Sequence, residues 1–92
     1  MQIDKLRIVV GTFLFKVEDR FMISGRGLIL TPGLGDKWGI AKTGTEIKLI
    51  RPDKSEIKTR IHGVTFEGQH DILVSPELTK DQVPVGTEVW TT

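Results

Sequence analysis

A chain of 92 residues has room for one small domain with a single core, because a chain this short buries only about two-thirds of its unfolded surface. Charged residues at 27% and hydrophobic residues at 38% fit a globular protein and exclude a disordered one, while a formal net charge of +1 lacks the basic excess of a dedicated duplex binder. With no cysteine, disulfides, thiolate zinc sites and cysteine nucleophiles are excluded, and a reducing compartment is compatible.

No apolar run reaches the ~20 residues of a membrane span, and Met1 to Lys5 is not a signal peptide. A cytoplasmic protein with no membrane partner is the expectation. Leu6 to Val10 and Phe13 to Val17 read as strands separated by Gly11 and Thr12, since β-branched and aromatic residues outnumber helix formers in both. Next come Phe21 and Ile23, alternating with Met22 and Ser24, then the corner Gly25-Arg26-Gly27 and the apolar run Leu28-Ile29-Leu30. This predicts a β-hairpin whose glycines supply the positive φ of a tight reversal and whose second strand is buried on both faces. Thr31 to Gly39 is a loop dense in turn residues that carries an exposed Trp38.

Thr45 to Ile50 and Glu56 to Val64 predict a second hairpin around Pro52-Asp53-Lys54-Ser55. Ile47, Leu49, Ile57 and Ile61 must share the core face, which requires an odd loop length. A loop of Pro52 to Lys54 sets Lys48 opposite Lys58, and a loop of Pro52 to Glu56 sets it opposite Arg60. Either register opposes two cations on the outer face, with Glu46 or Glu56 as candidate counter-charges. Ile72-Leu73-Val74 predicts a short strand, Ser75 to Gln82 one helical turn with Pro76 at its first position and Ser75 as cap, and Thr87 to Trp90 a last strand. Trp90 reads as a lid over one end of the core.

The run Phe13-x-x-x-Val17-Glu18-Asp19-x-Phe21-x-Ile23-Ser24-Gly25-Arg26-Gly27-x-Ile29-x-Thr31 resembles the opening of the second domain of translational GTPases, closest in wording to elongation factor Tu. Gly39 to Ile47, Gly63 to Phe66 and Val83 to Val89 resemble later segments of that domain in the same order, so the likeness spans residues 13–90 of a single domain over 1–92, preceded by an N-terminal strand within 1–12. The resemblance implies an all-β fold, a small closed or nearly closed antiparallel barrel of about six to seven strands. It also implies a pocket for the acceptor end of a tRNA: Glu18, Asp19, Phe21 and Thr31 match positions around the aminoacyl group, and Ile23, Gly25 and Ile29 match positions beside the terminal adenosine, with Arg26 in the connecting turn. Two segments depart from the pattern. Thr65 stands where the family has a glutamate, and Gln69 to Val74 replace the segment that carries a pocket asparagine. Read from the residues alone, Glu18 and Asp19 accept backbone hydrogen bonds at the corner, Phe21 packs in the core, and Arg26 closes the turn.

For catalysis the residues give little. Gly39 and Gly44 have P-loop spacing, but Thr45 occupies the lysine position and no strand-to-helix transition follows. His62 and His70 are the only histidines, too few for most zinc sites, and His70-Asp71 reads as a loop dipeptide rather than a catalytic pair. The expectation is a non-catalytic protein without cofactor, metal or bound nucleotide. From Lys42 to Arg60 there are six basic and three acidic residues, so Lys48, Lys58, Arg60 and His62 form the candidate phosphate-binding stripe. A module engaging RNA or a translation-machinery surface is the leading expectation. The alternative is a protein adaptor binding through the Trp38 loop, since tryptophan is enriched at interfaces.

Overall fold

The computed structural model describes residues 11–66 and 68–92. Short apolar-polar alternations build eight strands: β1 (Phe13–Lys16), β2 (Asp19–Ile23), β3 (Gly27–Thr31), β4 (Glu46–Ile50), β5 (Glu56–Arg60), β6 (Gly63–Val64), β7 (Ile72–Val74) and β8 (Glu88–Thr91). They form two four-stranded antiparallel sheets in the orders β1-β8-β4-β5 and β2-β3-β7-β6. The only helical elements among the described residues are single 3-10 turns at Gly35–Lys37 and Lys80–Gln82. The predicted N-terminal strand lies outside the described residues, apart from Gly11 and Thr12. Thr12 continues the β1–β8 pairing, its N–H donating to Thr91 Oγ1 at 2.7 Å and its carbonyl accepting from Thr91 N at 2.9 Å.

Two corners join the sheets. At the first, Val17 N donates to Thr87 O and Gly86 N to Val17 O, tying Val17 to the first sheet, while Glu18 N donates to Thr31 O in the second. At the other, Ile61 N donates to Thr45 O, and His62 N donates to Leu73 O. Adjacent residues therefore carry the last bond to one sheet and the first bond to the other, the way strands turn from sheet to sheet in orthogonal packings. Among the described residues no ladder closes the two sheets on each other. The all-β architecture matches expectation, with eight strands among the described residues where about six to seven are expected, arranged as two antiparallel sheets linked at these bends.

The core between the sheets holds Leu14, Val17, Leu28, Leu30, Ile47, Leu49, Ile61, Ile72, Val74, Val83 and Val89, all 3% exposed or less, with Ile57 packed against them. The second hairpin takes the three-residue loop, with Lys48 opposite Lys58 and Leu49 opposite Ile57. Lys54 adopts a φ of 77° there, and Lys54 N donates to Arg51 O at 2.7 Å.

Four local expectations are corrected. Leu28 and Leu30 enter the core, whereas Ile29 faces outward, because β3 has a second sheet over one face only. Phe21 is not in the core: it pairs with Ile29, shares its outward face and is 47% exposed. Ser75 caps a reverse turn, with Leu78 N donating to Ser75 O and Glu77 N to Ser75 Oγ, and the helical turn falls later, at Lys80–Gln82. There Thr79 and Gln82 form a reciprocal capping box, which is the stronger start signal. Trp90 does not cover an end of the core. It alternates with buried Val89, lies on the outer face of the first sheet edge-on to Phe13 at 5.5 Å, and donates from Nε1 to Glu88 Oε1 at 3.0 Å.

The Gly-Arg-Gly corner depends on its glycines in different ways. Gly25 has a φ of 77° with open space around it, while Gly27 has a φ of 143° and a Cβ there would stand 2.1 Å from Val74 O. Gly25→Ala should therefore cost about 1 kcal/mol of backbone strain, and Gly27→Ala, which must also push β3 from β7, roughly 2 to 4 kcal/mol. Urea unfolding of the two variants measures the difference, and equal losses would contradict this account of the corner.

Candidate binding face

Cross-strand partners share a face of a sheet. Leu28 and Leu30 turn inward, so Met22 and Arg20 opposite them also take the inner side. Arg20 is an awkward occupant. Its Nη2 reaches Lys80 O at 3.3 Å, its Nη1 lies 3.9 Å from Asp19 Oδ1, and its buried Nε has no hydrogen-bond partner. The outer side then receives Asp19, Phe21 and Ile23 from β2, Ile29 and Thr31 from β3, and Leu73 from β7, with Gly63 of β6 beside Leu73. The result is an outward face that is apolar at its centre.

A groove of about 390 Å³ runs along this face, lined by Ile23, Arg26, Ile29, Gly63, Val64, Thr65 and Leu73. A second depression of about 250 Å³ adjoins it, lined by Trp38, Gly39, Ala41, Lys42, Thr43, Val64, Phe66 and His70. Val64 borders both. Trp38 is 56% exposed and Phe66 90% exposed. The Trp38 loop is held by Leu34 N donating to His70 O and Gly35 N to Gln69 O, and the Trp38 ring stacks on His70 with centroids 5.2 Å apart. His70 is fixed in turn, its Nδ1 2.9 Å from Thr65 O. Asp71 follows it, and its backbone N–H donates to Thr65 Oγ1 at 2.9 Å. His70 and Asp71 thus serve as loop scaffolding. Among the described residues no group of three or more His, Asp or Glu is placed to hold a metal ion, and no helix is long and apolar enough to cross a membrane.

The family-matched residues divide between corner and groove. Glu18 is exposed at the first bend. Asp19 accepts from Arg20 N at 2.8 Å, and Thr31 Oγ1 donates to Asp19 O at 3.3 Å. Arg26 closes the turn through its backbone, Arg26 N donating to Ile23 O at 2.9 Å, while its exposed side chain borders the groove. Leu73, Val64 and Phe66 join Ile29 in lining these depressions without being singled out by the sequence. For Leu73 the signal is parity: once Leu28 and Leu30 are assigned to the core, Ile29 and its partners Phe21 and Leu73 face out. Val64 opposes buried Ile72 and packs against the core, and Phe66 lies beyond the strand, so parity finds neither.

The basic stripe is placed differently. Lys48, Lys58 and Arg60 do share the outer face of the first sheet, but Arg60 opposes Glu46, and the next row holds Lys16, Glu88, Ile50 and Glu56. Four cations thus alternate with three carboxylates. His62 lies past the second bend, where its backbone joins the other sheet. At the hairpin tip Arg51 Nε donates to Ser55 Oγ at 2.7 Å, and Ser55 N and Oγ donate to Asp53 Oδ1 at 2.9 and 2.5 Å.

Fold and face together define an all-β, two-sheet protein with one apolar, cation-bordered outer surface. No protein-family model matches the chain, and no solved structure matches it.

Two carboxyl groups have opposite linkage. Hydrogen bonds from Ser55 hold Asp53 below the usual 3.8, so its contribution to stability is present above that value and lost as pH falls through the lower folded value. Burial pushes Asp71 up. Its folded form binds the proton more tightly than the unfolded chain does, so it lowers stability as pH rises through its raised value. A carboxyl titration by NMR should find Asp53 titrating below 3.8 and Asp71 above it, and Asp71→Asn should raise stability at neutral pH but not in acid. The reverse order of the two carboxyls would refute these assignments.

Proposed function

We propose that this protein is a non-catalytic binding module of the translation-factor β-barrel kind, engaging single-stranded RNA or an RNA surface of the translation machinery through the groove at the Gly25-Arg26-Gly27 corner. One observation carries the reading. Ile23 and Ile29, both within the run that resembles the acceptor-end pocket, come together with Arg26, Val64 and Leu73 in one outward groove, and the described lining residues include a cation and no carboxylate. A nucleotide presents an apolar ring face with an attached anion, and such a groove complements both parts. The two bends at Val17 and Ile61 favour the barrel reading, because strands that pass from sheet to sheet are how small orthogonal barrels turn their corners. A cytoplasmic location accords with this function.

The hairpin stripe is a secondary contact on this reading, because Glu46, Glu56 and Glu88 offset Lys48, Lys58 and Arg60. The second reading, a protein adaptor that docks through the Trp38 loop, draws on the 56% exposure of Trp38.

Filter binding of single-stranded RNA across a salt series separates these contributions. Arg26→Glu should weaken binding about tenfold or more and lower the salt slope by about one. The combined reversal of Lys48, Lys58 and Arg60 to glutamate should do less. Loss of binding with the triple reversal but not with Arg26→Glu would move the site to the hairpin. A partner from lysate that survives nuclease and is lost on Trp38→Ala would establish the adaptor instead.

A further inference from the structure

We propose that the depression between Trp38 and Phe66 is a stacking slot for a nucleobase of single-stranded RNA, with Lys42 on the adjoining phosphate, so that an RNA strand lying in the Arg26 groove continues across Val64 into this slot. The proposal rests on the RNA-binding reading of the Arg26 groove and names the second site that the strand would occupy.

Exposed aromatic rings are the first observation. Phe66, at 90%, is far the most exposed large hydrophobic side chain among the described residues; Trp38 is 56% exposed, level with Val85 and Ile40, and the two aromatic rings line one depression. Burying such rings in a core is favourable, so two left at the rim of one concavity mark a contact surface. The second observation is preorganisation. Trp38 is already stacked on His70 at an interplanar angle of 25°, and His70 is pinned through Nδ1 to Thr65 O. Little rotamer freedom remains for the indole to lose on binding. Third is size: about 250 Å³ is less than the ~300–1,000 Å³ of pockets for drug-sized molecules and suits one planar ring system over the apolar floor of Ala41 and Val64.

Charge selects the partner. The described lining of the slot carries Lys42 and His70 without a carboxylate, and the adjoining groove carries Arg26 without one. A strip with cations toward both ends and aromatic or apolar surface between them complements a polyanion whose units have flat apolar faces. Single-stranded RNA has that form, and stacking on aromatic side chains tolerates any base because every base has a π-face.

The test uses the full chain carrying Trp90→Phe, which leaves Trp38 as the sole tryptophan. A short fluorescently labelled oligoadenylate is titrated while its anisotropy and the fluorescence of Trp38 are followed together. Should Trp90→Phe fail to fold, the difference between the wild type and Trp38→Phe supplies the same signal. Trp38 quenching that tracks the anisotropy is expected, and Phe66→Ala should weaken binding about tenfold, with Phe66→Leu nearly as weak and Phe66→Tyr close to wild type. Lys42→Glu should weaken binding and flatten its salt dependence. Oligonucleotide binding that leaves Trp38 unquenched and ignores Phe66→Ala overturns the slot while the Arg26 groove still stands. No binding at any salt overturns both. An acidic, tyrosine-rich peptide that quenches Trp38 where the oligonucleotide does not would overturn the slot in favour of a protein ligand.

Discussion

The pleat of the β2–β3 hairpin is the constraint from which the rest of the surface follows. Leu28 and Leu30 are wholly buried between the sheets, and Gly27 lies so close to Val74 that no side chain fits. Those contacts settle which way β3 faces, and the antiparallel pairing then settles β2, since directly opposed residues share a side. Phe21 and Ile23 are driven outward even though they are the larger apolar residues of their strand. Arg20 is driven inward, where its guanidinium reaches back to a carbonyl and one nitrogen stays unpartnered. A slip of β2 by one residue against β3 would bury Phe21 and expose Arg20, but it would break the tight turn in which Arg26 N donates to Ile23 O. The turn outweighs the preference of the strand.

That inversion creates the apolar outer face. An edge strand with its apolar side chains in solvent is a hazard in a small β protein, and here the apolar row continues through Ile29 to Leu73, beside which Val64, Phe66 and Trp38 line the adjoining depression. Several separate costs therefore converge on one side of the molecule: an exposed aromatic on β2, an exposed aromatic after β6, and a glycine-rich loop whose tryptophan is supported by a histidine. Departures from local consistency are expected at functional or strained sites, and here they cluster in space.

The first sheet has the opposite character. Its outer face alternates lysine and arginine with glutamate across three neighbouring strands, and Trp90 covers Phe13 within the same layer. Opposed Lys48 and Lys58 are tolerated because carboxylates occupy the rows on either side. Such a face is well solvated and resists edge pairing. The two outer surfaces of this domain thus divide between a mixed-charge face and an apolar one.

Much of the architecture was legible in the chain itself. The strand runs around Leu28, Ile47, Ile57 and Ile72, the glycine corner, the odd-length hairpin loop with two opposed cations and the exposed Trp38 all follow from alternation, β propensity and turn chemistry, which act over a few residues, while the choice of Lys58 over Arg60 opposite Lys48 came from the structure. The helical turn was misplaced because Pro76 and Ser75 are a common start signal, whereas the reciprocal bonding of Thr79 and Gln82 lies a few residues on. What local pattern could not decide was which face of each strand meets the other sheet. Phe21 alternates as a core residue would, and only the position of Leu28 and Leu30 against Ile72 and Val74 shows that its side is the outer one. Likewise a sum of charges over Lys42 to Arg60 marks a basic segment, but strand pairing brings Glu46, Glu56 and Glu88 among those cations. Composition along the chain determined that this is a small β domain with apolar strands and a mixed-charge hairpin; the long-range pairing of sheets, which no local preference encodes, decided which of those residues face outward.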